Sequence, residues 1–488
     1  MKDQKNNTIY RNFISGNWKS SYSEKTYDVF NPADIQEKIA TVQYSISEDV
    51  NEAIFSADAA SESWSKTTAI QRADILFNAY NILKRRFDEI ARSITLEEGK
   101  CIGDAEGEVQ RALSVIQFMA GEGRRMHGYT TPSELENTLA YTYKRPLGVV
   151  SVITPWNFPL AIPAWKIAPA LICGNTIVFK PAFSTPITAI KFVEVLEEAG
   201  LPPGVLNLVT GSSSTTGNAL INDRRIRGVS FTGSTEIGSK VYSIASQSLA
   251  KVQCEMGGKN ALIVMDDADI SKALDAIIQG AFGSTGQRCT ATSRVIIHKK
   301  IYDSFVNELV LRTRKLCVGA GLNETSDMSC LASQQQLEQV KKYVDIGIQE
   351  KGNLLTGGKQ LNGGVYDNGY FFQPTIFDNV STNARIAQEE IFGPVLVLFK
   401  CEDARDAIRI ANDCRFGLSS SIYTKNIRDS FEYINSIETG IVHVNSPTLG
   451  GEVHMPFGGI KSSGVGNREQ GLEAIEFFTE VVSVYIGQ

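Results

Sequence analysis

The stretch Val149-Val150-Ser151-Val152-Ile153-Thr154-Pro155-Trp156-Asn157-Phe158-Pro159 decides the fold. Its first five residues, mostly β-branched and apolar, are too few for a helix and run into a Thr-Pro turn, so they form a short buried strand that hands over to a loop. The pattern recurs at 176–179, 205–209, 229–231 and 251–254. Between the second and third of these strands lies a helix with Pro186 near its start, Ile187, Ile190, Val193 and Leu196 on one face, and Gly200 after its end. Buried strands alternating with helices make a parallel, doubly wound sheet, which takes ligands at the carboxyl ends of its strands.

Outward from this core, a second strand and helix series covers 261–437, beginning with a strand at 261–265 and a helix at 271–280. Upstream, residues 9–30 form short strands, and apolar spacing of three and four predicts helices over 50–64, 72–94 and 104–121. Residues 134–145 alternate (Leu139, Tyr141, Tyr143) like an exposed strand seeking a partner edge, and 476–486 is strand-like again. At 488 residues, two or three domains are expected.

Composition narrows the function. A net charge of −6 with no basic run argues against nucleic acid as partner. The eight cysteines lack any Cys-x-x-Cys spacing, which fits neither a zinc site nor a disulfide framework and suits a reducing, cytoplasmic compartment. The four histidines are too dispersed for a local zinc motif, so no metal is expected. Residues 1–11 lack the apolar core of a signal peptide, and Pro155, Asn157, Pro159, Pro163, Lys166 and Pro169 interrupt the most hydrophobic region, so no membrane span is expected.

The chemistry centres on Gly286-Gln287-Arg288-Cys289-Thr290-Ala291-Thr292-Ser293, a cysteine between glycine and hydroxyl residues. A thiolate is the strongest nucleophile a protein offers but needs an accessible polar site; by itself, one cysteine among eight reads equally as a small buried hydrophobe. Other stretches decide. Asn157 follows a strand end and would point into the ligand crevice, and Phe179-Lys180-Pro181-Ala182 lies at another. Phe231-Thr232-Gly233-Ser234-Thr235-Glu236-Ile237-Gly238 is a strand-loop-helix entry suited to a pyrophosphate, although Thr235 stands where a dinucleotide fingerprint has its second glycine. Glu255-Met256-Gly257-Gly258-Lys259 sets a carboxylate at a further strand end.

In order and spacing these stretches resemble the aldehyde dehydrogenase superfamily, from Ile14-Ser15-Gly16-Asn17-Trp18 to Glu480-Val481. The resemblance includes Glu389-Glu390-Ile391-Phe392-Gly393-Pro394 and Pro456-Phe457-Gly458-Gly459-Ile460-Lys461-Ser462-Ser463-Gly464. Within the superfamily, Ala161-Ile162-Pro163-Ala164-Trp165-Lys166, Ala120-Gly121-Glu122-Gly123 and Cys289-Thr290-Ala291-Thr292-Ser293-Arg294 are most similar to α-ketoglutaric semialdehyde (2,5-dioxopentanoate) dehydrogenases. The resemblance implies an α/β fold of two doubly wound parallel-sheet domains and a small β oligomerisation arm. A dinucleotide-binding domain would comprise 1–124 and 147–257, a catalytic domain 258–465, and the arm and tail 125–146 and 466–488. A homodimer or homotetramer joined through the arms is implied.

It further implies NAD(P)-dependent oxidation of an aldehyde to its acid. Cys289 would add to the aldehyde carbon, its own N–H and the Asn157 amide would hold the oxyanion, and Glu255 would activate the deacylating water. NAD or NADP would be held by Thr154, Trp156, Lys180, Ser184, Gly233, Ser234, Gly238, Glu390 and Phe392. One departure stands out. Where NAD-preferring members carry a glutamate three residues after the lysine, this chain has Phe183, then Ser184, so nothing repels a 2′-phosphate and NADP is expected to serve at least as well as NAD.

For the substrate, Arg111 and Arg288 at one mouth suggest an aldehyde with an anionic far end, with Phe158, Trp165 and Phe457 as an apolar wall and His454 as a further contact. A short semialdehyde such as 2-oxoglutarate semialdehyde fits; succinic semialdehyde is the runner-up, because Trp165 replaces the arginine usual there. Each arginine alone reads as well as a structural residue. Transfer of the thioester to coenzyme A and a non-catalytic protein of this fold are the competing readings, opposed by Glu255 and by the intact Cys289, Asn157 and Glu255 set.

Overall fold

The strand that opens the argument, Val149–Ile153, is buried along its whole length. Val150 and Val152 pack into one apolar core with the helix Ala161–Ile172, and Val149 and Ile153 into another with Val50, Ile54 and Ala57 of the helix Ser47–Lys66. Both faces are thus covered by helices, which is why the strand carries no polar alternation. The protein is described here by a computed structural model covering residues 8–487; the first seven residues of the polar stretch 1–11 and the last residue of the tail lie outside the described residues.

The first sheet runs Gly464–Val465, Lys251–Glu255, Ile226–Thr232, Val149–Ile153, Thr176–Lys180, Leu206–Leu208, Asn12–Ile14, Asn17–Lys19. Its five central strands are parallel and the outer ones antiparallel. The strand order reverses at Val149–Ile153, so the crevice opens beside that strand's carboxyl end. Register pairs Ile153 with Lys180 and with Phe231, and Thr232 with Glu255, setting the ends in a row.

The second sheet runs Asn353–Thr356, Thr375–Asp378, Val395–Cys401, Thr292–His298, Asn260–Val264, Ser419–Tyr423, Ile441–Val444, parallel except at its first strand. Leu262 and Val264 pack on one face, Ala261 and Ile263 on the other. Cys289 precedes Thr292–His298, Gly258 precedes Asn260–Val264 and Glu390 precedes Val395–Cys401, so this sheet presents its amino ends where the first presents its carboxyl ends.

Two sequence readings need correction. The helix expected over 72–94 is two helices, Ala69–Arg85 and Phe87–Glu98, because Arg86 (φ −95°, ψ 17°) leaves helical geometry. The tail strand begins at Thr479, since 476 and 477 belong to the short helix Glu473–Phe477. The strands expected at 134–145 and in the tail pair with one another: Thr138–Pro146 runs antiparallel to Thr479–Gly487, with Thr130–Thr131 on its other side. Thr479–Gly487 keeps one open edge, on which Val481 and Tyr485 are exposed. No described helix is long and apolar enough to cross a membrane.

Candidate active site

The helix Ile270–Phe282 is followed by a turn in which Ser284, Thr285 and Gly286 all take positive φ (47°, 58° and 67°). Two non-glycine residues in that region are strained and persist only when neighbours hold them. Asp104, on the helix Ile102–Glu122, accepts from the Ser284 N–H (2.8 Å) and Oγ (3.0 Å), and Thr285 Oγ1 donates to the Ser329 carbonyl (3.1 Å). Gly286 is required for a second reason: a Cβ would meet the Gly393 carbonyl. Half-buried Cys289 follows, its carbonyl accepting from Asn260 Nδ2 at 2.8 Å, the same amide that reaches the Ala291 carbonyl at 2.8 Å.

Asn157 is buried and donates one Nδ2 hydrogen to the Gln287 carbonyl at 3.0 Å, which ties the Pro155–Pro159 loop to the cysteine turn. Beneath it, wholly buried Lys100 donates to the Asn157 carbonyl (2.6 Å) and to Glu108 (2.7 Å), with its ammonium 3.8 Å from the Phe158 ring centre. Glu108 in turn accepts from the N–H groups of Leu160 and Ala161 (2.8 and 3.1 Å) at the start of the next helix. Buried charges are tolerated only when paired in this manner.

Glu255 ends its strand 2% exposed, so it is no surface carboxylate. Its Oε2 accepts from the Gly459 N–H at 3.2 Å, and a Cβ on Gly458 would strike Oε1. Burial first, and then the nearby Glu469 carboxylate, hold its pKa well above the usual range. Glu469 pairs with buried Lys166, which also donates to Ser230 Oγ at 2.9 Å. Burial, followed by the carboxylates of Glu390, Glu255 and Glu469, pushes the Cys289 thiol up to about 12.

Cys289 opens on a cavity of about 330 Å³ whose lining brings together Arg111, Phe158, Trp165, Arg288 and Phe457, as the sequence suggested, along with Gln470. Phe457 lies 5.6 Å from Trp165, centre to centre. Both arginines are already engaged: Arg288 Nη2 meets Asp104 (2.8 Å) and Ser284 Oγ (2.9 Å), and Arg111 donates to the Gly451 carbonyl and Gln470 Oε1. Arg288 is therefore first a brace of the cysteine turn. His454 is not brought to the cavity; it is exposed and pairs with Glu452 at 3.0 Å, because the loop turns Gly450, Gly451 and Phe457 inward instead.

Residues 18–484 match the model of the aldehyde dehydrogenase family. The chain belongs to that family. It is 46% identical to the α-ketoglutaric semialdehyde dehydrogenase of Bacillus subtilis over 98% of both chains. It is 37% identical to the NADP-dependent succinate-semialdehyde dehydrogenase of Escherichia coli over 97% of both. The structure of a betaine aldehyde dehydrogenase point mutant from Staphylococcus aureus in complex with NAD+ superposes with a TM-score of 0.96 at 34% identity, covering 98% of this chain and 97% of that one. The protein is an NAD(P)-dependent aldehyde dehydrogenase.

In this aldehyde dehydrogenase the row of strand ends fits a nicotinamide dinucleotide. Thr154 Oγ1 is buried with no protein partner, and buried Lys180 Nζ has the Pro181 carbonyl at 3.1 Å, so both await further acceptors or donors. Burial lowers Lys180 to about 8. Ser234 Oγ caps the helix Thr235–Ala245, and side chains at Gly233 or Gly238 would press on Phe231 or Met256, leaving bare backbone for phosphate. Glu390 accepts from the Gly258 N–H at 2.8 Å and is raised to about 7 by burial. Phe392, held at φ 61°, stands edge-on to Trp156 at 5.3 Å. Phe183 stacks on Tyr27 at 4.0 Å and with Ser184 lines a separate cavity of about 390 Å³, whose lining does not include Lys180.

Sequence reasoning missed Lys100, Glu108, Asp104, Asn260, Lys166, Glu469 and Gln470 as parts of the site. Lys166 alone carried a signal, as a charge inside the otherwise apolar helix Ala161–Ile172.

Proposed function

We propose that the enzyme oxidises a short aldehyde with a distal carboxylate, 2-oxoglutarate semialdehyde being the best fit, to the corresponding acid. The observation that carries this is the single cavity that joins Cys289 to Arg111 and Arg288 between the apolar walls Phe158, Trp165 and Phe457. The similarity to the Bacillus subtilis enzyme supports the same substrate; the Escherichia coli relative keeps succinic semialdehyde as the second reading.

In this mechanism the Cys289 thiol, its proton affinity raised by burial, gives up its proton to water in the cavity on which it opens. Sulfur then adds to the aldehyde carbon. The carbonyl oxygen becomes an oxyanion held by the free Asn157 Nδ2 hydrogen and the Cys289 N–H. Thr154, Trp156, Lys180, Ser184, Gly233, Ser234, Gly238, Glu390 and Phe392 would hold the cofactor, which would accept the hydride that leaves the carbon as the oxyanion collapses to the thioester. Glu255 next deprotonates the water that attacks the thioester, the C–S bond breaks, and Sγ recovers a proton. A buried hydrolytic base favours water over coenzyme A as the acyl acceptor.

We assign 1–124 and 147–257 to cofactor binding, 258–465 with Glu469 and Gln470 to catalysis, and 125–146 with the tail strand Thr479–Gly487 to a homodimeric or homotetrameric contact in the cytoplasm. Assay of 2-oxoglutarate semialdehyde, succinic semialdehyde, propanal and benzaldehyde with each cofactor tests the substrate reading. Highest kcat/KM is expected for 2-oxoglutarate semialdehyde; equal or better turnover of benzaldehyde would refute it.

A further inference from the structure

We infer that Gln470 and Trp165 are specificity-determining residues, whose Nε2–H and Nε1–H groups recognise oxygen atoms at the far end of the substrate. This deepens the acidic-semialdehyde reading and rests on it. Both residues line the cavity beside Cys289, both are more than nine-tenths buried, and neither N–H has an acceptor within the protein. Arg288 Nε, in the same lining, has none either.

The Gln470 amide is fixed the way the inference needs. Its Oε1 accepts from Arg111 Nη2, so the NH2 end cannot be exchanged for the oxygen without setting donor against donor. Gln470 also holds a left-handed backbone (φ 61°) ahead of Gly471 (φ 54°), a strained arrangement of the kind found at ligand-binding positions.

The two carboxylates of the same lining are already engaged. Glu108 is occupied by Lys100 and by the Leu160 and Ala161 N–H groups, and Asp104 by Arg288 and Ser284. The buried side-chain atoms of that lining left without a partner are all donors: Trp165 Nε1, Gln470 Nε2 and Arg288 Nε. A buried donor without an acceptor carries a free-energy cost that is recovered when a ligand brings an oxygen to it. An apolar or cationic far end recovers none of it. A 2-oxo acid carries a keto oxygen next to its carboxylate, which spreads acceptors over the reach of the indole and amide N–H groups as well as a guanidinium. The cavity thus favours an aldehyde whose far end bears oxygens over an apolar one.

The test uses the assembled enzyme and compares kcat/KM for 2-oxoglutarate semialdehyde with that for pentanal. Trp165→Phe keeps the ring face and removes the N–H; Gln470→Glu keeps length and the Arg111 acceptor and replaces the donor by an acceptor. Each is expected to lower the ratio of acid semialdehyde to pentanal about tenfold or more, chiefly through KM, since sites built to hydrogen-bond a group discriminate strongly once a partner is lost. A ratio left intact in both variants, or an equal loss on the two aldehydes, overturns the inference while leaving the acidic-substrate reading standing. A wild type that shows no preference for the acid semialdehyde overturns both.

Discussion

At the scale of single residues, the proposed mechanism gives acylation to Cys289 and hydrolysis to Glu255, so their loss should arrest the reaction at different points. Cys289→Ala is expected to show neither a burst nor turnover. Glu255→Gln should give one rapid burst of reduced nicotinamide and then stall, with the steady-state rate lowered roughly 10²–10⁴-fold. Stopped-flow absorbance of reduced nicotinamide separates the two, and undiminished steady-state turnover in either variant would sink the assignment. The pH dependence has a definite sign. The base works only when deprotonated and burial raises its pKa, so kcat should fall as pH drops through that raised value. The limb should vanish in Glu255→Gln. The proposed cofactor choice is also local: Phe183 offers stacking to Tyr27 and no acceptor for ribose hydroxyls, so NADP is expected to match or exceed NAD, and Phe183→Glu to restore NAD preference. Paired kcat/KM values decide it, and a wild type inert with NADP would refute it. Cys289, Asn157 and Glu255 were legible in the sequence because their motifs are local. Gln470 and Asp104 were not, since their roles depend on partners more than a hundred residues away, Arg111 and Ser284.

At the scale of elements, the helix Ile102–Glu122 does more than border the mouth. Through Asp104 it holds the strained turn ahead of the nucleophile, through Glu108 it anchors the Asn157 loop, and through Arg111 it ties down the far rim. Asp104→Ala should therefore cost about 1–3 kcal/mol of stability and lower kcat on acidic and neutral aldehydes alike. Thermal unfolding and parallel assays check this; a loss confined to acidic substrates would contradict it. Helix periodicity placed this element nearly to its ends, but periodicity cannot say which polar face meets another segment. The break at Arg86 was invisible for a related reason: apolar spacing continues across it, and only backbone geometry interrupts the helix.

At the scale of the whole molecule, two sheets meet end to end, one offering carboxyl ends and the other amino ends. The alternation of strands and helices made both sheets legible, yet the rule that ligands gather at carboxyl ends foretold only the first. The arm closes the design, and its open edge at Thr479–Gly487, with Val481 and Tyr485 exposed, is the surface expected to pair with another copy. Sedimentation at micromolar concentration should give a dimer or tetramer, and the double variant Val481→Lys, Tyr485→Lys should move it toward monomer. A monomeric wild type would refute the proposal. The arm strand has a further implication for how the chain is made. Gly464–Val465 completes an edge of a sheet whose other strands were translated long before, and Thr479–Gly487 pairs with Thr138–Pro146 from the first third of the chain. During synthesis both edges must wait, unpaired, until these late strands have been made, so the nascent polypeptide passes through a period in which exposed strand edges leave it prone to association.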